Sequence, residues 1–390
     1  LRATAHPARP GPFRFAMAPS CPTLWGMRRI AVGLAGLLII AGCTSSDPKA
    51  AHPSVASKSP DSTPVPLKEG HDFSVIGTLP SKIHGGSVSY RGLLDAETAY
   101  GVAWRTVDGG MNGEVVRTDL RTGKLRDVGR VEPGDDIGAV VAAPGWVVWL
   151  ELQKNWDDLS SWTLFSYEVA TKKVRQLAVA PMDQHHYNIH QLEPSISDGT
   201  VYISAVKSTS RNGGTSIGAA YSVPLDGASP LKLLVRGSIF TEASDGYLFF
   251  DEHGHLQKRD LSTGVTTAVA KSCRPDFDEC HWGVGAGTLV WDPNMEGTGE
   301  ETAPDAIHVL AADGSEITID PNVSGEQFFR ASKTWVSYVG QPNIDFVYRI
   351  PEHTISLLPA GWHLASASGE VMVWNHGHGD SETYEFVRLL

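Results

Sequence analysis

From Pro194 to Ala205 the chain alternates apolar and polar residues on either side of Asp198-Gly199, the pattern of two short strands joined by a tight turn. Asp-Gly in that place favours a primed turn, because Gly accepts the positive φ such turns need. The hairpin recurs: GWVVWLE from Gly145, SDGYLFFDE from Ser244, GAGTLVWD from Gly285, SKTWVSY from Ser332 and SGEVMVW from Ser368, with ETAYGVAW from Glu97 a degenerate first copy. Anchored on the residue at its aromatic end, the series runs Trp104, Trp149, Ile203, Phe250, Trp291, Tyr338, Trp374, a mean spacing of 45 residues. After each anchor comes a loop and a second hairpin, with Thr122-Gly123, Asp226-Gly227, Thr263-Gly264 and Asp313-Gly314 marking turns. Each unit is thus four strands: an inner a, the aromatic-ended b, then c and d.

A period near 45 residues in all-β sequence is that of propeller blades. The pattern predicts an all-β fold, a single β-propeller of seven four-stranded blades over residues 71–390. The blades are expected at 84–132, 133–181, 182–237, 238–272, 273–323, 324–361 and 362–390. The last unit has strands a (WHLASAS), b (EVMVW) and c (TYEFVRLL), then stops without a d strand. A spare run, DFSVIGTLP from Asp72, precedes the first unit and is expected to supply the missing strand. An open ring would leave unpaired edges. The anchor tryptophans are expected to pack between blades.

These features, the SDG-x-x-aromatic hairpin and the blade period over about 320 residues, resemble the TolB-like and WD-type β-propeller group. The resemblance implies the fold and leaves the function open, since propellers host many roles.

The N-terminus changes the picture of where the chain works. Residues 1–26 have no apolar periodicity, and Met17 or Met27 is the expected initiator. Arg28-Arg29, the apolar run Ile30 to Ile40 and Ala41-Gly42-Cys43 follow in the order of a signal peptide. Ile40-Ala41-Gly42-Cys43 resembles the bacterial lipobox, which implies cleavage before Cys43, acylation of its thiol and anchoring of an exported protein to the cell membrane. Residues 1–42 thus read as leader and residues 43–70, with six Ser, five Pro and no aromatic after Cys43, as a disordered tether. Without the leader the chain holds 27 Lys and Arg against 44 Asp and Glu, a formal −17. Such a surface disfavours nucleic acid. The two remaining cysteines, Cys273 and Cys280 in CRPDFDEC, form an even pair in an exported chain and are expected to be a disulfide.

Candidate chemistry is sparse. In a four-stranded blade the a–b and c–d turns share one face, and the b–c and d–a loops the other. The a–b and c–d turns are short, whereas several b–c loops are long, and elaborated loops on a rigid scaffold are where binding resides. His190, His253, His281, His363 and His376 fall in or beside those longer connections and are the candidate residues of the binding face. Trp156 and Trp162, read as part of the long second b–c loop, are candidate exposed aromatic contacts. Gly214-Thr215-Ser216-Ile217-Gly218 matches G-x-S-x-G, but a nucleophile elbow needs a strand before it and a helix after it. No catalytic residue is expected. The reading is a lipid-anchored, non-catalytic, monomeric propeller that binds an envelope protein or glycan and takes no cofactor. The alternative is a metal-dependent propeller enzyme such as a polysaccharide lyase, with a divalent metal on histidines and Gln191 at the channel mouth.

Overall fold

The structure, a computed structural model, describes residues 64–390 apart from 84–85, 108–109, 132–135, 153–161, 181–186, 189–192, 209–215, 239, 253–254, 272–281, 293–305, 320–328, 341–343 and 378–380. Among the described residues there is no α-helix, and the strands form seven sheets. Two N-terminal strands, β1 (Val65–Pro66) and β2 (Phe73–Pro80), precede the repeats. Blade 1 holds β3 (Lys82–Ile83), β4 (Gly86–Asp95), β5 (Thr98–Val107), β6 (Gly110–Asp119) and β7 (Leu125–Arg130). Blade 2 is β8 (Asp136–Ala143), β9 (Trp146–Leu152), β10 (Trp162–Glu168) and β11 (Lys173–Val179). In blade 3 the inner strand comes in two pieces, β12 (Tyr187–Asn188) and β13 (Ser195–Ser197), followed by β14 (Thr200–Ser208), β15 (Ser216–Pro224) and β16 (Lys232–Arg236). Blade 4 is β17 (Thr241–Ser244), β18 (Tyr247–Glu252), β19 (His255–Asp260) and β20 (Thr266–Lys271). Blade 5 is β21 (Trp282–Gly285), β22 (Thr288–Trp291), β23 (Ile307–Leu310) and β24 (Glu316–Ile319). Blade 6 is β25 (Arg330–Ala331), β26 (Trp335–Gly340), β27 (Ile344–Arg349) and β28 (Thr354–Leu357). Blade 7 is β29 (Trp362–Ser368), β30 (Val371–His376) and β31 (Thr383–Leu389), and β2 is its fourth strand.

The expected ring closure is present. β2 pairs antiparallel with β31 from Phe73↔Leu389 to Pro80↔Thr383, so the outer strand of the last blade comes from the start of the chain. The core is correspondingly divided, one apolar cluster at each joint between neighbouring blades. Trp149, Ile203, Phe250, Tyr338 and Trp374, five of the seven anchors, are at most 1% exposed within these joints.

The repeated Ser-Asp-Gly does two jobs. Asp198 and Gly199 (φ 48° and 72°) and Asp245 and Gly246 (47° and 79°) adopt the left-handed conformation of a primed turn. The serine then reaches the next blade: Gly246 N–H donates to Ser197 Oγ at 3.0 Å, and Gly287 N–H to Ser244 Oγ at 3.1 Å. Each such bond contributes about 1 kcal/mol net. Between blades 6 and 7 a carboxylate takes over. Glu370 accepts from Ser332 Oγ at 3.0 Å, Lys333 N–H at 2.9 Å and Thr334 Oγ1 at 2.7 Å. The a–b turns of blades 3 and 4, of 4 and 5, and of 6 and 7 are thereby laced together on one face.

The tether expectation needs correction at its C-terminal end. β1 lies parallel to β28 with Val65↔Ser356 and Pro66↔Leu357, and Leu67 N–H donates to Leu357 O at 2.9 Å. Leu67 is 4% exposed, packed with Trp335, Trp374 and Phe73 in the joint between blades 6 and 7. The outer edge of β28 offers unpaired backbone groups, and an outermost strand tolerates Pro66 because it pairs on one side only.

Candidate functional site

Two of the five candidate histidines are described, and they do different things. His376 opposes Trp362 across β29 and β30, its ring 4.7 Å from the indole. His363 opposes Asn375, and its Nδ1 lies 3.2 Å from Oδ2 of Asp345, a buried carboxyl pushed upward by desolvation and partly drawn back by that histidine. His190, His253 and His281 lie outside the described residues, as do Trp156, Gln191, Cys273, Cys280 and Cys43. Among the described residues no group of three or more His, Cys, Asp or Glu stands close enough to hold a metal ion.

Trp162 is a correction. It is the first residue of β10 rather than a loop residue, opposes Leu152, and is fully buried in the joint between blades 2 and 3. The ladder to β9 runs one residue further than the loop reading allowed. This turns the indole into the core and leaves its Nε1 without a hydrogen-bond partner. Ser216 opens β15 opposite Ser208, so the G-x-S-x-G match has a strand after it and no elbow.

The structure instead shows a site inside the ring. The inner strands of all seven blades enclose a channel with a cavity of about 430 Å³. Much of its wall is small: Ala139, Gly283, Ser366 and Ser368. Against that background stand four charged residues, Arg91 of blade 1, Glu193 and Glu242 of blades 3 and 4, and Arg330 of blade 6. Local structure aims Arg91. Tyr90 opposes Gly101 and Gly92 opposes Tyr100, so Arg91 is the extra residue of a β-bulge, the device that redirects a side chain. Gly92 permits this, since a Cβ there would sit 2.5 Å from that of Ser368. Beside it burial pushes the Tyr100 hydroxyl pKa up to about 12, an effect the Ser368 side chain, Arg91 and the Ala142 backbone partly offset.

Glu242 carries a perturbed carboxyl. Burial pushes its carboxyl up to about 8, the Glu193 charge adds to this, and Arg330 and the Val284 N–H partly offset it. Its surface is only half-buried because the cavity reaches it. At neutral pH it is mainly protonated. The consequence for stability has a definite sign. Between the ordinary carboxylate value of 4.5 and about 8 the native state holds a proton that the unfolded chain has lost, so stability falls as pH rises through that window. The ceiling is about 1.4 kcal/mol per pH unit, and cavity water lowers it. Glu242→Gln should therefore match the wild type below pH 5 and exceed it by a few kcal/mol at pH 9, read from urea midpoints at pH 5, 7 and 9. A difference that does not change with pH would remove the perturbed carboxyl.

Sequence reading passed over these four residues. The available signal was a charge on an inner strand whose counterparts are small: TEAS and FFRAS against VAAPG and GVGAG.

No family model matches the chain, and no curated protein matches it. The fold is similar to solved propellers. The acylaminoacyl peptidase of Pyrococcus horikoshii superposes with a TM-score of 0.52 at 9% identity, over 78% of this chain and 52% of the peptidase. An oligogalacturonate lyase in complex with manganese gives 0.50 at 10% identity, over 84% of this chain and 98% of the lyase. TolB from Acinetobacter baumannii gives 0.36 at 11% identity, over 61% of this chain and 54% of TolB.

Proposed function

We propose that the protein is an exported propeller, anchored by lipid on Cys43, that binds an envelope protein or glycan through its b–c/d–a face. The observation that supports the binding face is the asymmetry of the connections. Six of the seven a–b turns are two residues long, and several are bonded to the turn of the next blade. At the other end the chain runs from Leu152 to Trp162 and from Trp291 to Ile307 between consecutive strands. A laced, minimal face suits a scaffold, and sequence length spent at the opposite face suits recognition. The anchor rests on the lipobox-like Ile40-Ala41-Gly42-Cys43. More than one acyl chain is what durable anchoring requires, at about 0.8 kcal/mol per buried CH₂.

Two measurements on cells test this reading. A clickable fatty-acid analogue should label the wild type and not Cys43→Ser, and the variant should leave the membrane fraction. Photocrosslinking should then capture an envelope partner from a position within 153–161 and none from the c–d turn at Thr171. Membrane retention of the unlabelled variant would sink the anchor, and capture from Thr171 alone would sink the face.

A further inference from the structure

The four channel charges are arranged by sign. Both acids stand on neighbouring blades, Glu193 on 3 and Glu242 on 4, whereas the guanidinium groups stand on blades 6 and 1, flanking blade 7. Their depth follows from the turns. All inner strands run toward the a–b face, so the number of paired rungs back from the a–b turn measures depth. Glu242 and Arg330 each lie two residues before the serine that opens their turn, Ser244 and Ser332. Arg91 stands between the second and third rungs from the Asp95↔Thr98 pair, because Leu94 is a second bulge residue of β4, and Glu193 precedes β13.

None of the four forms an ion pair with another described residue. Arg330 donates from Nη1 to the Phe329 carbonyl at 2.9 Å, a bond to a neutral group. Charges held in a partly desolvated channel without partners are costly. A simple anion would meet the acids on the opposite wall, and a simple cation would meet the arginines. A molecule with an ammonium at one end and a carboxylate at the other satisfies both walls together. The cavity of about 430 Å³ accommodates an amino acid or a short peptide and is too small for a folded partner.

We propose that the central channel is a binding site for a small zwitterion, a free amino acid or short peptide, with its carboxylate on Arg91 and Arg330 and its ammonium on Glu193 and Glu242. Glu242 when protonated accepts through its carbonyl oxygen, and Glu193 supplies the ionic partner. This goes beyond the macromolecular reading of the loop face, and either can fail alone.

Equilibrium dialysis of the full chain against a pool of free L-amino acids and a pool of dipeptides, read by mass spectrometry, tests it. At least one zwitterion should be retained, and its N-acetylated and C-amidated forms should each bind at least tenfold more weakly. Arg330→Gln and Glu193→Gln should each weaken binding at least tenfold without lowering the thermal midpoint. If Arg330→Gln fails to fold, Arg91→Gln takes its place. Retention of nothing from either pool overturns the proposal. So does binding that survives capping of one end, which would mark a plain anion or cation site, and so does binding indifferent to the arginine variants.

Discussion

Removing residues 64–80 is expected to unfold the entire ring, although the deleted segment precedes the first blade in the chain. β2 is the outer strand of blade 7, so its loss bares the length of β31 from Thr383 to Leu389. The core loss is larger. Leu67 and Phe73 fill the joint between blades 6 and 7, where Phe73 meets Trp374 edge-on at 4.8 Å. Leu79, 1% exposed, belongs to the joint between blades 7 and 1. Arg349 adds a tie from blade 6, donating to the carbonyls of Asp72 and Leu390. Truncating a buried Leu or Phe costs about 2–5 kcal/mol, so three together reach about 7 kcal/mol or more. That is comparable with the whole stability of a typical domain, about 5–15 kcal/mol. Deleting 44–63 instead should leave the thermal midpoint within a degree or two. Circular dichroism on both truncated chains checks this, and equal stability of the two would refute closure by β2.

The same segment shows what was legible in the sequence. A strand-like run before the first repeat, together with a last repeat short of one strand, fixes the closure by counting alone. The Asp-Gly turns were legible for a similar reason: positive φ at Asp198-Gly199 and Asp245-Gly246 follows from local chemistry. Leu67 was not legible. Its neighbours Pro64, Pro66, Lys68 and Gly70 read as tether, and its burial depends on the free edge of β28, which lies almost 300 residues away in the chain. Trp162 failed by a single residue of strand length, and at a strand end one residue decides between core and solvent. The channel charges failed differently. Each is one ordinary Arg or Glu in its own repeat, and their grouping by sign exists only once seven inner strands face one axis.

Blade 5 carries the second large effect. Its inner strand, Trp282-Gly283-Val284-Gly285, has glycine at two alternate positions, a sequence that reads as a weak strand. The reason is the approach of β25. A Cβ on Gly283 would lie 2.7 Å from the carbonyl oxygen of Phe329, and one on Gly285 would overlap that of Ala331. Neither oxygen can swing aside, because both belong to backbone at the joint between blades 5 and 6, where Phe329 and Ala331 are themselves core. Gly285→Ala should therefore cost about 3 kcal/mol or more, the upper end for overpacking. Gly264→Ala offers the comparison. That glycine sits in an open c–d turn with φ 73° and nothing within 4 Å of an added Cβ, so only backbone strain of about 1–2 kcal/mol applies. Urea midpoints of the two variants rank the effects. Because Gly283 and Gly285 also line the channel between Glu242 and Arg330, Gly285→Ala should disturb that wall as well. A smaller loss for Gly285→Ala than for Gly264→Ala would mean that the inner strands of blades 5 and 6 stand further apart than described.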